Sequence, residues 1–535
     1  MNNQFDVVVV GAGMGGLTTA VYSARAGRKV LLLEKAAQPG GLFGSFQSGP
    51  YTFDHGARAV ENSGIMFPMF RQLGLKLEFV KSPVVIGSGD KFVPITSDIE
   101  LEPYAKFLLS LFPQEEKSIR AICDDIVKIS LQMRVLYGIE NPLFIDDAYT
   151  NMTYLTKTLL PWALKFMTTM PKTQKYFTPV KDHLRKFTQN QSLIDFISQH
   201  FFEETPALFA MSYFSLYTDY NYPKGGTGSV VKAMVDLFLK FNGNYQLSSE
   251  VTEINLDAKT VTTKNGETFS YRTLVWAGSP PAMHKVILST KQALVKKQKR
   301  ALAITSKGKG ADSVMTVFMK VKDPNRTMAK RAGMHTFFTP YLDGLTAHGI
   351  DLIKKQDGTF IDDKDKIFQW IIEWYRRNTY EISVPVLRDG SLAPEDESGF
   401  IVSVLLDYQL TKMIAQKGWY EELKQMTNAY FVDILDQTWI PGLKAGTYET
   451  IHASPLTMEK FASVHEGSLS GWSFANKPML SEFLFTRVAK SILTPYPNIF
   501  QAGQWAFAPA GLPTCALTGK LASDKVVKLT KGKRQ

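Results

Sequence analysis

Gly11, Gly13 and Gly16 fall in the spacing G-x-G-x-x-G directly after the four valines Val7–Val10. Glycines so placed suit a dinucleotide: the first permits a tight turn, the second lets the backbone approach a pyrophosphate, and the third lets the following helix pack close to its strand. Met14 and Gly15 lie within this glycine run, and the N-terminus of the helix after it supplies unpaired N–H groups and a partial positive charge to phosphate oxygens. Glu34, 18 residues after Gly16, sits where a carboxylate accepts hydrogen bonds from a ribose. The pattern alone is weak, because a plain tight turn between strand and helix also produces it. No other constellation suggests chemistry: the eight histidines are scattered, and neither HExxH nor CxxC occurs. No metal site is expected, and no catalytic side chain is assigned.

The elements around the glycines raise their weight. Phe5–Val10 reads as a parallel strand buried on both faces, Leu17–Ala26 as a small-residue helix closed by Gly27, and Lys29–Leu33 as a second strand ended by Glu34. Strand, glycines, helix, strand and acid in this order predict binding of NAD or FAD. The continuation separates the two: Lys35, then Pro39-Gly40-Gly41-Leu42, then Phe53-Asp54-His55-Gly56.

These residues resemble the FAD-binding N-terminus shared by amine oxidases, protoporphyrinogen oxidases and the phytoene desaturase group. The resemblance implies that Gly40 and Gly41 pass near the cofactor's phosphates and ribityl chain, and it extends to Asp54, His55 and Gly56. Leu42 stands where a basic residue is usual, which moves the chain away from typical amine oxidases. Tyr222-Pro223-Lys224-Gly225-Gly226, a helix over Val230–Phe241, a strand over Tyr245–Val251 and a meander to Leu274–Gly278 resemble the second FAD segment of phytoene desaturases, carotenoid isomerases and retinol saturases. There Val251 is expected to hold the adenine through its backbone, and the proline-glycine-glycine turn to run over the flavin. The third segment is Tyr496–Gly503, then Gln504 where an acid is usual, then the loop Ala508–Pro513 opening a helix over Thr514–Val527. Gly503, Gln504, Gly511, Leu512, Pro513 and Thr514 are thereby expected at the cofactor, the helix pointing its N-terminus at the flavin pyrimidine. His452–Trp472 and the turn Ser391–Pro394 also resemble the saturase and isomerase pattern.

The implied fold class is α/β: a discontinuous Rossmann-like FAD-binding domain of the glutathione-reductase superfamily, from residues 1–90, 221–300 and 475–535. Threaded through it are a helical substrate or membrane-facing part over 91–220 and a substrate-binding sheet over 301–474. Helical periodicity over Ser118–Tyr137 supports the former, and strands expected over Val314–Val321 and Ile367–Trp374 the latter. A sheet roofing the flavin would leave an apolar tunnel between sheet and helices, with His335, Tyr341, Glu373 and His452 as unranked tunnel residues. Cys515 reads either as a thiol with lowered pKa at a helix N-terminus or as a small packed residue.

Composition bounds the partners. With 535 residues, 44% hydrophobic and 21% charged, the chain is globular and not disordered. The best candidate for a membrane span, Leu159–Met170, is only twelve residues long and contains Lys165, and nothing at the N-terminus reads as a signal peptide. Two cysteines, Cys123 and Cys515, build no disulfide framework and suit a reducing compartment, so the expected location is cytoplasmic, with peripheral contact to a membrane. The net charge of +11 gathers at Lys291–Lys309 and in the tail Lys525–Arg534. Neither run has the interleaved aromatics of a nucleic-acid groove, so no nucleic acid is expected; a solvated face or an anionic membrane surface fits. The basic and aromatic stretch Tyr154–Phe187 reads as interfacial or as helices packed inside the substrate domain.

The resemblance implies an FAD-dependent oxidoreductase acting on carbon–carbon double bonds of a lipophilic, isoprenoid or polyene substrate, by hydride transfer at flavin N5. Desaturation, saturation and isomerisation all remain open, with NAD(P)H as a candidate external donor. The alternatives are an amine or protoporphyrinogen-type oxidase and, from another class, a non-enzymatic prenyl-lipid escort of the GDP-dissociation-inhibitor type.

Overall fold

The protein is described by a computed structural model covering residues 3–530. Two large sheets organise it. In the first, the strand Gln4–Val10 runs parallel between Val30–Leu33 and Thr268–Trp276, and Ile499–Gln501 adds parallel to the end of Thr268–Trp276. Val7 and Val9 enter one core with the helices Met14–Arg25 and Leu512–Thr530, while Val8, Leu31 and Leu33 enter another on the opposite face. Burial on both faces is what an unbroken valine run requires. The two helices approach closely because their contact is built of small residues: Thr19 donates to the Gly519 carbonyl at 3.1 Å, and Ser23 meets Ser523 at 3.0 Å.

The second sheet has seven strands, in the order Thr447–Ala453, Val314–Lys322, Glu397–Leu405, Tyr380–Ser383, His335–Phe338, Val84–Ser88 and Lys91–Pro94. One face carries Val317, Met319, Ile382 and Val402 into an apolar core shared with the helices Lys364–Arg377 and Tyr420–Thr438. The other face is turned toward the helices of residues 102–217, whose own core holds Ile119, Ile122, Ile126 and Leu208.

Three expectations change. Ile367–Trp374 is not a strand but lies inside the helix Lys364–Arg377. Asp363 caps it by accepting from the Lys366 N–H at 3.1 Å, and Ile367, Ile371 and Tyr375 recur every four residues, a helical stripe that the aromatic and β-branched content disguised. Tyr245–Val251 is two strands, Asn244–Gln246 and Val251–Asn255, at different places in the first sheet; Ser248, at φ +51, turns the chain between them. Val84–Ser88, within the span 1–90, pairs with His335–Phe338 and so belongs to the second sheet.

The basic run Lys291–Lys309 contains the helix Gln292–Thr305, no residue of which is buried. In the C-terminal run, residues 531–534 lie outside the described residues. Among the described residues no helix is long and apolar enough to cross a membrane, and no group of three or more His, Cys, Asp or Glu is placed to hold a metal ion.

Candidate functional site

A cavity of about 410 Å³ opens at the carboxyl ends of the first sheet's parallel strands, the place where open α/β sheets bind ligands. Gly11, Gly13, Met14 and Gly15 line one side, with Glu34, Lys35, Gly40, Gly41 and Leu42 beside them; Val251 closes one end, and Gly503, Gln504, Gly511, Leu512 and Cys515 come from the C-terminal segment. Three stretches hundreds of residues apart in sequence thus meet around one space.

The cavity is shaped for close backbone approach. Gly11 turns at φ +101. A Cβ on Gly13 would meet nothing of the protein nearer than the Gly40 carbonyl oxygen at 4.0 Å, so the room beside it belongs to the cavity. Gly13 is the N-cap of the helix Met14–Arg25 and has no side chain to satisfy the first N–H groups, which leaves them for a ligand. The Leu512–Thr530 helix presents its N-terminus to the same space through Gly511 and Leu512. Both Glu34 oxygens hold the turn, Oε2 accepting from the Ala12 N–H at 2.6 Å and Oε1 from the Ala36 N–H at 2.8 Å; each oxygen has acceptor capacity left, and the residue lines the cavity. These features fit a dinucleotide approached by backbone at the N-terminus of the Met14–Arg25 helix.

The other expected residues stand behind this wall. Gly16 is needed for packing: a Cβ there would run into the Gly11 carbonyl oxygen. Asp54, 1% exposed, accepts from Ser45 Oγ at 2.8 Å, the Thr227 N–H at 2.8 Å and the Tyr222 hydroxyl. It therefore clasps the Tyr222–Thr227 segment to the hairpin Phe43–Gly56. That segment packs on Ser45, with Gly228 N–H donating to Ser45 Oγ at 2.9 Å, and does not line the cavity. His55 packs edge-on against Phe461 at 5.0 Å, and it is Phe461 that lines the cavity; burial lowers the His55 pKa and keeps the ring neutral. Gly56 abuts the Leu42 carbonyl, Pro513 is buried, and the Thr514 hydroxyl turns back to the Gly511 N–H at 2.9 Å. Burial pushes the Cys515 thiol up to about 12, with Glu61 adding to it, opposite to the lowered value of an activated thiol; the half-buried side chain packs against the core beneath the first sheet.

Sequence reasoning did not single out Trp276, Phe461, Leu469 and Trp505, which are also part of the lining. It also missed the composition of a second cavity of about 200 Å³. This one lies between the free face of the second sheet and the helical part, and is lined by Phe201, Phe209, Tyr213, Tyr217, Phe337, Trp472 and Phe474 among others. Leu469 lines both cavities, and Trp472 of the second meets Trp505 of the first at 4.9 Å, edge to face. Of the four expected tunnel residues, none lines it. His335 stands behind the lining, 3.0 Å from Glu381 and packed on the Tyr220 and Phe337 rings. Tyr341 lies beneath Arg376, Glu373 pairs with Arg376 and Arg377, and His452 sits in the strand paired with Val314–Lys322.

Glu61 lies at the strand Val60–Glu61, paired with Tyr220. Its Oε2 is enclosed without a partner, and burial, with Asp219 adding, pushes the carboxyl up to about 7.

The family model described as "Flavin containing amine oxidoreductase" matches residues 14–527. Prolycopene isomerase 1, chloroplastic, of an Oncidium hybrid cultivar is 24% identical over 552 residues, spanning 98% of this chain and 84% of that protein. The lycopene-forming phytoene desaturase of Pantoea ananas is 23% identical over 519 residues, spanning 94% and 95%. Among solved structures, cyclohexylamine oxidase from Brevibacterium oxydans superposes with a TM-score of 0.56 at 13% identity, over 98% of this chain and 99% of that one, a likeness of fold.

Proposed function

The chain belongs to the flavin containing amine oxidoreductase family and is an FAD-dependent oxidoreductase; from that premise we propose that it acts on carbon–carbon double bonds of a lipophilic, isoprenoid or polyene molecule. The observation that carries the reading is the pair of adjoining cavities, one glycine-lined and the other aromatic, sharing the wall Leu469. When bound, FAD supplies the two-electron chemistry. The residues proposed to hold it are Gly11, Gly13–Gly15, Glu34, Lys35, Gly40–Leu42, Val251, Gly503, Gln504, Gly511 and Leu512, all on the cavity wall. Gly16, Asp54, His55, Gly56, Pro513 and Thr514 support that wall from behind.

The protein's own share is positioning and exclusion of water. Phe209, Phe337, Trp472 and Phe474 present flat apolar surfaces to the second cavity. The N-terminus of the Leu512–Thr530 helix directs partial positive charge into the first, where it favours negative charge on whatever it faces. For a reductive direction, NAD(P)H is the proposed external donor.

Access for a lipophilic substrate is proposed to come from a membrane. Residues 148–181 contain Lys157, Lys165, Lys172, Lys175 and Lys181 and no acid. Leu160, Leu164 and Met167 are exposed on the helix Leu160–Thr173, and their spacing puts them on one face. Apolar side chains flanked only by lysines match an anionic bilayer surface, each lysine contributing on the order of 1 kcal/mol.

Two measurements test this. Purified protein reconstituted with FAD should retain it and show oxidised-flavin absorption; a preparation that never retains flavin overturns the cofactor assignment. Flotation with phosphatidylserine vesicles should be seen at low ionic strength and fall with salt, and absence of binding at low ionic strength removes the membrane proposal.

A further inference from the structure

We infer that Glu381 anchors a hydroxyl group of the substrate, so that the second cavity selects a lipophilic alcohol over its non-donating analogue. This rests on the reading of that cavity as the substrate site.

The strand Tyr380–Ser383 alternates: Tyr380 and Ile382 are fully buried in the apolar core, so Glu381 and Ser383 point to the sheet's other face. Glu381 thereby enters a lining that is otherwise mainly aromatic. Its side chain is 35% exposed and belongs to the cavity lining, whereas its partners Arg58 and His335 are 4% and 2% exposed and do not. Arg58 Nη1 lies 3.5 Å from Oε2 and donates to the Glu381 backbone carbonyl at 3.1 Å, while Nη2 donates to Ser403 Oγ. His335 Nε2 lies 3.0 Å from Oε1. Burial by itself would raise this carboxyl; Arg58 first, then His335 and Arg388, hold it down at about 2, so it is ionised. Burial keeps His335 neutral, and its single proton on Nε2 serves Oε1, leaving Nδ1 without a partner.

Each carboxylate oxygen has two lone pairs. The protein engages each oxygen once, so acceptor capacity remains on the side of the cavity. Covering it with a hydrocarbon would strip water from an ionised group and give nothing back. A hydroxyl donates one hydrogen bond and restores the loss.

The neighbouring charges decide between hydroxyl and ammonium. Arg58 already compensates Glu381, and Arg388, stacked at 3.9 Å on the Tyr222 ring, adds a second guanidinium to its surroundings. His200, on the cavity wall, is kept neutral by burial and meets the Tyr217 hydroxyl at 3.1 Å. A cation entering here would face two arginines, whereas a neutral donor meets no such repulsion. At about 200 Å³ the cavity lies below the roughly 300–1,000 Å³ of sites for drug-sized ligands, so it takes one end of a long molecule, the end that carries the hydroxyl.

The test is calorimetric titration of the holoenzyme with farnesol, farnesyl methyl ether and farnesylamine, with flavin content measured separately by absorbance. Farnesol should bind about tenfold or more tightly than the ether, the scale of a hydrogen bond to a charged group. The advantage should shrink in Glu381→Gln, which keeps a neutral acceptor, and vanish in Glu381→Leu. A purely structural Glu381 would alter stability but leave the alcohol-to-ether ratio unchanged. Should Glu381→Leu fail to fold, the wild-type ratio and the Gln variant still decide. Equal binding of alcohol and ether in the wild type, survival of the preference in Glu381→Leu, or tighter binding of farnesylamine than farnesol overturns the assignment. Loss of flavin with the alcohol preference intact would count against the cofactor reading alone.

Discussion

The two cavities adjoin at Leu469 yet are built on different principles. The first is made largely of backbone: glycines that let a ligand approach, helix N-termini with unused N–H groups, and a carboxylate that braces the turn. The second is made of side chains: aromatic rings from the helical part, from the sheet strand His335–Phe338 and from residues 472–474, and a single carboxylate from the sheet with its guanidinium and imidazole behind it. A backbone site depends on what no side chain obstructs, and a side-chain site on what distant elements deliver. Substitutions in the first should therefore act through sterics and be severe; those in the second should act through selectivity.

The sharpest break within the first cavity is between two glycines three residues apart. Gly16→Val places its Cβ against the Gly11 carbonyl oxygen and within 3.1 Å of the Ala277 side chain, in a wall with no room to shift. Overpacking costs about 1–3 kcal/mol, occasionally more, and a clash with a backbone oxygen puts this one beyond that range; the expected outcome is no soluble folded protein, read by circular dichroism. Gly13→Val has no such obstacle, since its side chain would point into the cavity. It should fold with wild-type circular dichroism, retain no FAD, and melt with flavin-stripped wild type, because ligand stabilisation is lost and little else. A Gly13→Val protein that holds stoichiometric FAD would show that the phosphates lie elsewhere.

The same difference governs what was legible in the sequence. Gly11, Gly13 and Glu34 could be read because a backbone site needs glycines, and an acid after them, at fixed local spacing; Gly40 and Gly41 came with the family resemblance. The strand Gln4–Val10 and the helix Glu116–Tyr137 were equally open to reading, being long and strongly patterned. Asp54 and His55 carried the same family resemblance but face away from the cavity, one as a clasp and the other behind Phe461, because a motif records what a fold needs as well as what a ligand touches. Trp472, Phe337 and Glu381 left no local mark of a shared site. Their only common property is meeting in space, through pairing of Tyr380–Ser383 with His335–Phe338 and of the helical part with both. A faint signal for Glu381 does exist in Tyr380-Glu381-Ile382-Ser383, an acid alternating with apolar residues in a strand. It is obscured by the adjacent aromatic and β-branched stretch 367–374, which reads as a strand and folds as a helix.

Glu61 tests how far the two cavities are coupled, and its effect is the smallest of the three. Its field reaches Cys515 in the first cavity and Tyr213 and Tyr220 in the second, raising the pKa of each. With the folded carboxyl at about 7 and an ordinary value near 4.5, the native state keeps a proton that the unfolded chain has released between those pH values. Stability therefore falls as pH rises from about 4.5 through 7 and is level above, the reverse of a carboxylate in an ion pair. Glu61→Gln cannot titrate. Its amide also lacks a partner at the enclosed position, a cost that is the same at every pH, so the reading is the slope and not the offset. Between pH 5 and pH 8 the variant should gain on the wild type by up to about 3 kcal/mol, at roughly 1.4 kcal/mol for each pH unit that separates the folded from the unfolded pKa, as measured by denaturant unfolding at each pH. A gap that closes or reverses over that interval would mean that the ionised carboxylate is paired in the folded protein, and that Glu61 belongs to the charged network of the second cavity instead of standing apart between the two.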